Sequence, residues 1–326
     1  MSEALHDVQA PMGPQASALF DLWTIMLIVC ALVFVLVMTA LILALWRARR
    51  GGRGGSLATL PDMARHPRRD SAVRRAVGWA TAVSTVMLVG LLFASFLTDR
   101  AIARLPLDDA VQIELVAHQF WWEARYDVHD PKLAFFTANE LHVPVGRPVL
   151  VTLRADDVIH SFWVPSLHGK KDLIPGRVST FAFRADKSGV YRGQCAEFCG
   201  YQHAHMTLFV FADDPADYER WSAAQRDPAV EPTNPVERRG RDLVVGTTCG
   251  LCHAIGGTNA QGRRAPDLTH IASRTTIGAG TVANSESSLA DWVADPQRLK
   301  PGVNMPPHDY NAEDLAAIGA YLASLK

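Results

Sequence analysis

Two long uncharged stretches stand out near the start of the chain. Residues 22–46 are 25 consecutive positions without a charged side chain, and residues 76–98 are another 23. A helix of about 20 apolar residues crosses a bilayer core of roughly 30 Å, so both stretches are long enough. The alternative, a buried helix of a soluble domain, is disfavoured because such helices rarely lack polar residues on every face. The pattern therefore predicts a two-helix transmembrane hairpin.

The charges around these stretches are unevenly distributed. Residues 47–75 contain nine arginines and two aspartates, a net charge of +7, whereas residues 1–46 contain three acidic side chains and no Lys or Arg. Because cytoplasmic loops are enriched in Lys and Arg, we expect the 47–75 loop, with a flexible GGRGG segment at residues 51–55, in the cytoplasm. Residues 1–21, and the chain beyond the second stretch, then lie outside. The first stretch is too long for a signal-peptide core and no basic segment precedes it, so we interpret it as a retained span.

Beyond the second stretch the pattern changes from β-like to helical. Residues 111–211 alternate apolar, β-branched runs with breaks such as PVGRP and ADKSG, which predicts an all-β sandwich or barrel. Residues 213–226 predict a short surface helix, and the proline-rich residues 227–235 predict a linker. Residues 237–326 are helical in character and end in AEDLAAIGAYLASLK, whose apolar residues recur at helical spacing.

The overall charge and the cysteines limit the kinds of partner and site that the chain can have. The net charge of the whole chain is −1, so nothing indicates a strongly basic or acidic partner such as nucleic acid. Of the five cysteines, Cys30 lies in the first uncharged stretch and is interpreted as a small apolar side chain. The other four form two close pairs on the side of the membrane where disulfides are the default. The residues around each pair indicate metal or haem chemistry instead.

The first pair lies in a segment rich in copper-binding side chains. Cys195, Cys199, His203 and Met206 fall within twelve residues. Thiolate, imidazole and thioether suit copper that shuttles between its two oxidation states. One Cys would suit a mononuclear site, whereas two allow both thiolates to bridge two coppers. Each copper then needs its own imidazole, and His160, in ADDVIHSFWVP after a predicted strand, is the best candidate for the second.

Two questions about this segment stay open. A disulfide between Cys195 and Cys199 is the rival to copper binding, and copper analysis with and without Cys195 would decide between them. His205 is a further imidazole in the same segment. We interpret it as a surface residue, or one that only supports a ligand, rather than as a ligand itself.

The second pair forms the haem c attachment motif CxxCH at residues 249–253. A zinc site is the alternative, but it would need two further Cys or His nearby, and only His270 and His308 follow. Met305 is the only methionine after the motif and is the best second axial ligand, because Met with His raises the potential of a haem. His308 is the alternative to it. The predicted haem-binding residues are Cys249, Cys252, His253 and Met305.

The pattern CxExCGxxHxxM, with the upstream DDVIHSFWVP and an IPGR segment, resembles subunit II of cytochrome c oxidase and its dinuclear copper centre, CuA. The resemblance runs from the two predicted spans to about residue 212 and implies a cupredoxin-like domain at residues 105–226. It also implies that the Glu197 carboxylate reaches a Mg²⁺ or Mn²⁺ ion shared with subunit I. The implied copper ligands are His160, Cys195, the Glu197 carbonyl, Cys199, His203 and Met206, with Met206 as the weak axial ligand.

The remainder of the chain resembles a class I cytochrome c. This implies an all-α domain at residues 237–326, joined to the sandwich by a linker at residues 227–236. By the same resemblance, the Pro266 carbonyl orients the proximal histidine, and Gly240 and Tyr321 lie where the first and last helices cross. Two further residues are implied to contact the haem propionates, Arg274 and Trp292.

The chain departs from the oxidase pattern in two places. Where the family usually has a tryptophan associated with electron input from soluble cytochrome c, this chain has Phe120. Trp121 and Trp122, which follow it, are therefore the predicted electron-transfer residues. The family often has a glutamate at the start of the second span, feeding a proton channel in subunit I, whereas this chain has Arg74 and Arg75 there.

Together these features imply the electron-input subunit of a haem–copper terminal oxidase. Electrons would pass from a donor, a cytochrome c or a cytochrome bc-type complex, through haem c to CuA and on to subunit I for O₂ reduction, with subunit III as a further partner. This chain has no ligands for an O₂-reducing centre, so no catalytic residue is assigned to it. The expected location is a bacterial plasma membrane, with both termini periplasmic. The alternatives are a CuA-bearing nitric oxide reductase subunit, a quinol oxidase subunit and a stand-alone electron carrier.

Overall fold

Two long helices form the predicted transmembrane hairpin. A computed structural model describes residues 4–51 and 67–326. Helix α1 spans Pro14–Gly51 and helix α2 spans Pro67–Ile102. Each contains an apolar segment long enough to cross a membrane, with mean hydropathies of 3.2 and 2.1, and no residue in the most apolar part of either segment is buried. Such exposure of apolar side chains suits a lipid environment and is foreign to the core of a soluble domain.

Both helices extend beyond the uncharged stretches that predict them. Helix α1 continues past residue 46 through the first arginines of the basic segment, where the Arg50 guanidinium lies 3.4 Å from the centre of the Trp46 ring. Long arginine side chains at a helix end can reach the polar membrane surface, so the charges do not end the helix. The predicted 47–75 loop is therefore partly helical, and residues 52–66, with most of GGRGG, lie outside the described residues.

The chain divides into two compact units, one of which is Ala18–Arg104 with the two helices. The other unit includes residues up to Ser17 and Leu105–Lys326. It contains a β-sandwich (residues 111–213), whose sheets have the orders β3-β2-β1-β5-β8 and β4-β10-β9, with β6 and β7 as a separate pair. Strands β1 and β5 pair in parallel, as do β4 and β10. The strands are β1 (Val111–His118), β2 (Trp121–Tyr126), β3 (Phe135–Ala138), β4 (Glu140–Pro144), β5 (Val149–Ala155), β6 (His160–Phe162), β7 (Lys171–Leu173), β8 (Ser179–Phe183), β9 (Gly189–Gln194) and β10 (Thr207–Asp213).

Alternation of apolar and polar residues builds the core between the two sheets. In β1, Val111, Ile113 and Leu115 are buried, whereas Gln112 is exposed, because successive side chains point to opposite faces of a strand. The largest fully buried side chains of the sandwich include Trp122, which lies in the core with its neighbours from both sheets. The core therefore fixes β6, β9 and β10, the strands whose ends carry the predicted copper ligands.

Two segments pack onto the sandwich from outside its sheets. Helix α3 (Pro215–Ala224) follows β10 where a surface helix is predicted, and its Trp221 ring stacks on His142 with centroids 4.2 Å apart. Near the start of the chain, Leu5 N donates to Val190 O of β9 at 2.8 Å. The first residues are thus part of the same unit as the sandwich.

The C-terminal domain (residues 237–326) is mainly helical, with one addition to the prediction, a small ribbon of β11 (Thr276–Ile277) and β12 (Val282–Ala283). Asparagine and serine side chains cap three of its helices by accepting backbone N–H groups. Its first and last helices cross at Gly240, where a Cβ would overlap the Ala317 carbonyl. The helices are α4 (Pro235–Val245), α5 (Glu286–Ala294), α6 (Pro296–Leu299) and α7 (Ala312–Ser324).

The segment predicted as a flexible linker is partly fixed in place. Ala229 N donates to Gly256 O at 3.0 Å, and the His270 Nε2 atom lies 3.1 Å from Asp227 O. Helix α4 begins at Pro235, so the segment also ends inside a helix. Backbone groups of this stretch therefore pair with the C-terminal domain, which the proline-rich composition alone did not indicate.

Candidate copper and haem sites

Two pieces of the sandwich meet at the candidate copper site. His160 is the first residue of β6, and the copper loop (residues 195–206) connects β9 to β10. The backbone closes this loop, because Cys195 N donates to Met206 O at 3.0 Å. The two ends of the loop are thus held by the sheet, and Cys195 Sγ at its start lies 3.8 Å from His160 Nδ1.

The structure brings the five predicted side-chain ligands into one cluster. Two atoms bound to one metal ion at about 2.0–2.3 Å lie about 3.5 Å apart in tetrahedral geometry, which is close to the separations found here. A disulfide would need an S–S distance of about 2.05 Å, so the two thiols are not bonded to each other. The distances are His160 Nδ1 to Cys195 Sγ 3.8 Å, Cys195 Sγ to Cys199 Sγ 3.9 Å, Cys199 Sγ to His203 Nδ1 3.7 Å and Cys199 Sγ to Met206 Sδ 3.8 Å.

Burial makes this cluster dry and sets its charge. Cys195, Cys199 and His160 are each at most 3% exposed. The neighbouring Cys199 thiol lowers the pKa of Cys195 to about 3, although burial acts in the opposite direction. The neighbouring Cys195 sulfur raises the pKa of Cys199, because two thiolates at this distance repel each other. A bound cation removes that repulsion, so the donor set fits a metal that needs two thiolates.

Asp157 orients the His160 ring, and the sequence reasoning did not single it out. Its Oδ1 atom lies 2.8 Å from His160 Nε2, which leaves Nδ1 facing Cys195. Burial alone would lower the pKa of His160, but the hydrogen bonds and charges of Asp157 and Cys195 together outweigh burial and raise that pKa. Carboxylates that hold the outer nitrogen of a ligating histidine in this way fix the orientation of the ring. The aspartate three residues before His160, in DDVIH, is the sequence feature that could have indicated this role.

Glu197 contributes its backbone to the copper site and its side chain to the surface. The Glu197 carbonyl oxygen lies 3.2 Å from Cys195 Sγ, which is compatible with its predicted role as a backbone ligand. Its carboxylate is 43% exposed and lies 3.1 Å from Lys170 Nζ. Asp172 is 3.5 Å from the same ammonium group, so two carboxylates share one lysine here. This pair is the place where the chain could offer oxygen ligands to Mg²⁺ or Mn²⁺.

The aromatic residues beside the copper loop differ in their contacts. Trp122 is fully buried, lies edge-on to His160 with centroids 6.2 Å apart, and its Nε1 donates to Met206 O at 3.5 Å. Trp121 instead stacks on His118 at 4.4 Å. Trp122 is therefore the predicted electron-transfer residue that touches the copper ligands, whereas no contact between Trp121 and these ligands is found in the described part of the chain.

The haem attachment residues lie in a short three-ten turn after α4. The turn Thr248–Leu251 contains the first motif cysteine and is followed at once by Cys252 and His253. His253 Nδ1 lies 2.7 Å from Pro266 O, the contact that the resemblance to a cytochrome c implies. Burial lowers the pKa of His253, which favours the neutral imidazole needed to ligate iron. The carbonyl fixes Nδ1 as the protonated nitrogen and leaves Nε2 free for the metal.

A set of apolar side chains, the apolar wall, packs against the core of the C-terminal domain without being fully covered and includes the attachment residue Cys249. Met305 belongs to this wall and is half-buried, and Gln297 Nε2 donates to its carbonyl oxygen at 2.8 Å and to that of Val303 at 2.7 Å. A side-chain amide thereby holds the loop that carries the predicted axial ligand. Apolar side chains left half-covered around a core fit a large planar apolar group. The half-buried residues of this wall are Cys249, Leu268, Trp292, Met305 and Tyr310.

Arg274 carries a buried donor without a protein partner. The residue is 7% exposed and its Nη2 atom donates to Asp267 O at 2.5 Å. Its Nε is buried, and no hydrogen-bond partner for it exists among residues 4–51 and 67–326. A buried guanidinium with a spare donor requires an acceptor, and a haem propionate would supply one. This observation fits haem c to the domain and agrees with the role predicted for Arg274.

The fold and the two sites define a class of protein. The chain combines two helices long and apolar enough to span a membrane, a β-sandwich with a cluster of two thiols, two imidazoles and a thioether, and a helical domain with CxxCH. The class is a membrane-anchored electron-transfer protein with one copper and one haem domain. Comparison with known families agrees: the model described as "Cytochrome C oxidase subunit II, periplasmic domain" matches residues 124–212, and the one described as "Cytochrome c" matches residues 237–326.

The chain belongs to the cytochrome c oxidase subunit II family. It is 34% identical to cytochrome c oxidase subunit 2 of Alkalihalophilus pseudofirmus over 97% of this chain and 90% of that one. It is 33% identical to the subunit 2 of Bacillus sp. PS3 over 67% of this chain and 63% of that one. A crystal structure of the periplasmic domain of subunit II from Bradyrhizobium japonicum is 28% identical and covers 37% of this chain and 97% of that one, with a TM-score of 0.35.

Family membership confirms the predicted fold class and the predicted enzymatic class. The chain is one subunit of an oxidoreductase complex, a haem–copper oxidase, and its two family domains imply CuA and haem c as cofactors and subunit I as a partner. The two apolar helices agree with a membrane protein. The individual ligands, the metal at Glu197 and the orientation in the membrane stay predictions.

Proposed function

We propose that this chain relays electrons from an upstream donor through haem c to CuA and then to subunit I, where O₂ is reduced. The observation that carries the proposal is the cluster around Cys195 and Cys199, whose neighbouring donor atoms lie 3.7–3.9 Å apart in a dry site. A relay needs a centre that takes up and releases an electron without moving its ligands. Ligands held by a sheet core meet that requirement.

The chain's own residues hold and shield the two centres. When bound, the coppers and the haem iron supply one-electron redox chemistry. The Cys195 and Cys199 thiolates would hold the coppers together with His160, whose ring Asp157 orients, and His203, which lies beside Cys199. His253, held by the Pro266 carbonyl, and Met305 would bind the haem iron. Exclusion of water from the copper site keeps the cost of reorganisation low during transfer.

The remaining parts of the proposal concern partners and location. The donor is a cytochrome c or a cytochrome bc-type complex, and subunits I and III bind the chain in a bacterial plasma membrane. The +7 charge of residues 47–75 supports a cytoplasmic loop, with both termini and both redox domains periplasmic. Glu197, with Asp172 beside the same lysine, supports a Mg²⁺ or Mn²⁺ ion at the contact with subunit I.

Purification of the complex with the variant Cys195→Ser tests the proposal. We expect the variant to lose copper and cytochrome c-driven O₂ uptake while keeping haem c, because one bridging thiolate is gone. Cys30→Ser is the matched control, since Cys30 lies in α1 and should leave copper content unchanged. Unchanged copper in Cys195→Ser would contradict the ligand assignment. If the wild-type complex reduces NO and takes up no O₂, the terminal reaction is NO reduction and not O₂ reduction.

A further inference from the structure

A buried lysine of the C-terminal domain binds the loop that carries the copper ligands. Lys300 follows α6 and is 1% exposed. Its Nζ donates to Phe120 O at 3.0 Å and to His205 O at 2.8 Å in the sandwich, and to Gly278 O at 2.7 Å in its own domain. One side chain thus joins both domains through backbone carbonyls.

The number of acceptors around Lys300 Nζ matches the protonated form of its amine. An ammonium group has three donors and no acceptor, and three carbonyl oxygens surround it here. Burial without a carboxylate partner is rare for lysine, and it lowers the pKa of Lys300 to about 7. A neutral amine has only two donors and would leave one carbonyl without a partner. The geometry therefore suits the charged form, and it is complete only while the two domains are docked.

Neighbouring contacts extend the same interface toward both metal sites. Gln202 Nε2 donates to Pro301 O at 2.8 Å, and Asn304 Nδ2 donates to Gln119 O at 3.4 Å. On the C-terminal side these residues belong to the Met305 loop (residues 300–305), and on the sandwich side they flank the copper ligands. The loop of the predicted axial haem ligand therefore rests directly on the copper loop.

A second contact, away from the metal ligands, fixes the orientation of the interface. The buried Glu140 carboxylate in β4 accepts hydrogen bonds from Thr275 N at 2.8 Å, Thr275 Oγ1 at 2.6 Å and Thr276 N at 3.2 Å. Between the two contacts, Thr207 N donates to Ala279 O at 3.1 Å. Two separated polar anchors prevent the C-terminal domain from rotating about either one.

We propose that Lys300 is a positioning residue that locks the C-terminal domain onto the copper loop, so that electrons pass from haem c to CuA within one fixed geometry. The inference rests on the relay proposed above. A flexible linker would only raise the frequency with which a free haem domain meets the copper domain. In a docked chain the linker therefore does not set the rate of electron transfer from haem c to CuA. Docking also means that the face around Phe120, 6% exposed, is covered by this chain's own domain. An external donor must then reduce the haem first.

The test uses the assembled full-length oxidase carrying Lys300→Met, which keeps the length of the side chain and removes its three donors. The measurement is the rate of CuA reduction after a flash-induced reduction of haem c, with direct reduction of CuA by hexaammineruthenium(II) measured alongside. Arg298→Met is the matched control. It removes one positive charge two residues away, where the side chain is 61% exposed and pairs with Asp291 of its own domain.

We expect Lys300→Met to slow haem-to-CuA transfer by roughly tenfold or more, because buried carbonyls that lose their donor shift the domain toward an undocked state. Direct reduction of CuA should become faster as its face is uncovered, and the haem and copper spectra should be unchanged. Arg298→Met should stay within about twofold of the wild type. Glu140→Ala, at the second anchor, should repeat the slowing if Lys300→Met fails to assemble.

The possible outcomes separate the two proposals. A wild-type rate of haem-to-CuA transfer in both Lys300→Met and Glu140→Ala would overturn the positioning role and leave the relay intact. Absence of haem-to-CuA transfer in the wild-type enzyme would overturn the relay itself, and the positioning role with it. Slower transfer together with slower direct reduction of CuA would also overturn the positioning role, because it would indicate a damaged copper site.

Discussion

The Asp157 carboxylate lies 2.8 Å from His160 Nε2 and holds the imidazole with its other nitrogen toward Cys195. The two residues are three positions apart, and the bend before β6 brings them together. Asp157 also accepts the backbone N–H groups of Gln119 and Val158, both at 2.6 Å. The carboxylate is therefore fixed by the backbone before it fixes the ligand.

We predict that Asp157→Asn weakens copper binding by about tenfold, within the range of 10–100-fold found when such supporting carboxylates are changed. The reason is loss of the charge that aligns His160. Copper content per chain at a series of chelator concentrations measures the effect. Asp156→Asn is the control, because Asp156 is 72% exposed and pairs with His118 rather than with a copper ligand. Equal copper affinity of both variants would show that Asp157 has no such role.

The local part of the copper site could be predicted from the sequence, because four of its side chains fall in one loop. Their chemistry and spacing are readable without knowing the fold. Lys300 could not be predicted, since its acceptors come from Phe120 and His205, which are 180 and 95 positions away. A lysine is ordinarily solvated, and nothing in KPGVNMPP marks it as buried. Only the docking of two domains creates its environment.

The same distinction applies to the fold. The two spans follow from the length of the uncharged stretches, and the sandwich and the C-terminal helices follow from the periodicity of apolar residues. The ordering of the linker could not be predicted in this way. The linker pairs with Gly256 and His270 through its own backbone groups, which carry no sequence signal. The small β11–β12 ribbon lies between helices and is too short to leave a recognisable pattern.

Arg274→Gln should lower the reduction potential of haem c. If the spare Nε donor binds a propionate, the arginine charge favours the reduced iron, and its removal favours the oxidised form. An interaction of about 1 kcal/mol corresponds to a shift of about 40 mV for one electron. Redox titration of the c-type absorption band measures it. Arg263→Gln provides the control, because Arg263 is 52% exposed and pairs with Asp267. Equal potentials in the two variants would place Arg274 away from the haem.

Gly240→Ala should destabilise the C-terminal domain by about 2–3 kcal/mol or prevent its folding, since the added methyl would overlap the Ala317 carbonyl where α4 crosses α7. Loss of the haem absorption band on heating reports the stability of this domain. Gly78→Ala in α2 is a matched helical control with no atom within 4 Å of the new Cβ, and it should leave that midpoint unchanged. A wild-type midpoint for Gly240→Ala would mean that the helices can separate at no cost.

His168 should make the sandwich sensitive to acid. Burial lowers its pKa to about 4 from the model-peptide value of 6.5, and its Nδ1 accepts the Gly169 N–H at 2.6 Å, which protonation would prevent. Because the folded pKa lies below the unfolded one, the unfolded chain binds a proton that the folded chain does not between these values. Stability is therefore complete above about pH 6.5 and falls by up to about 3 kcal/mol as the pH drops to 4.

The variant His168→Asn keeps an acceptor at this position but cannot titrate in that range. It loses the packing of the imidazole against the Phe181 ring, with centroids 4.3 Å apart, so it should be less stable than the wild type near neutral pH. As the pH falls from 6.5 to 4, the thermal unfolding midpoints of the two solubilised chains should converge. Comparing the two chains removes the contribution of the copper ligands, which is common to both. A constant difference across this range would mean that His168 is protonated equally in the folded and unfolded states.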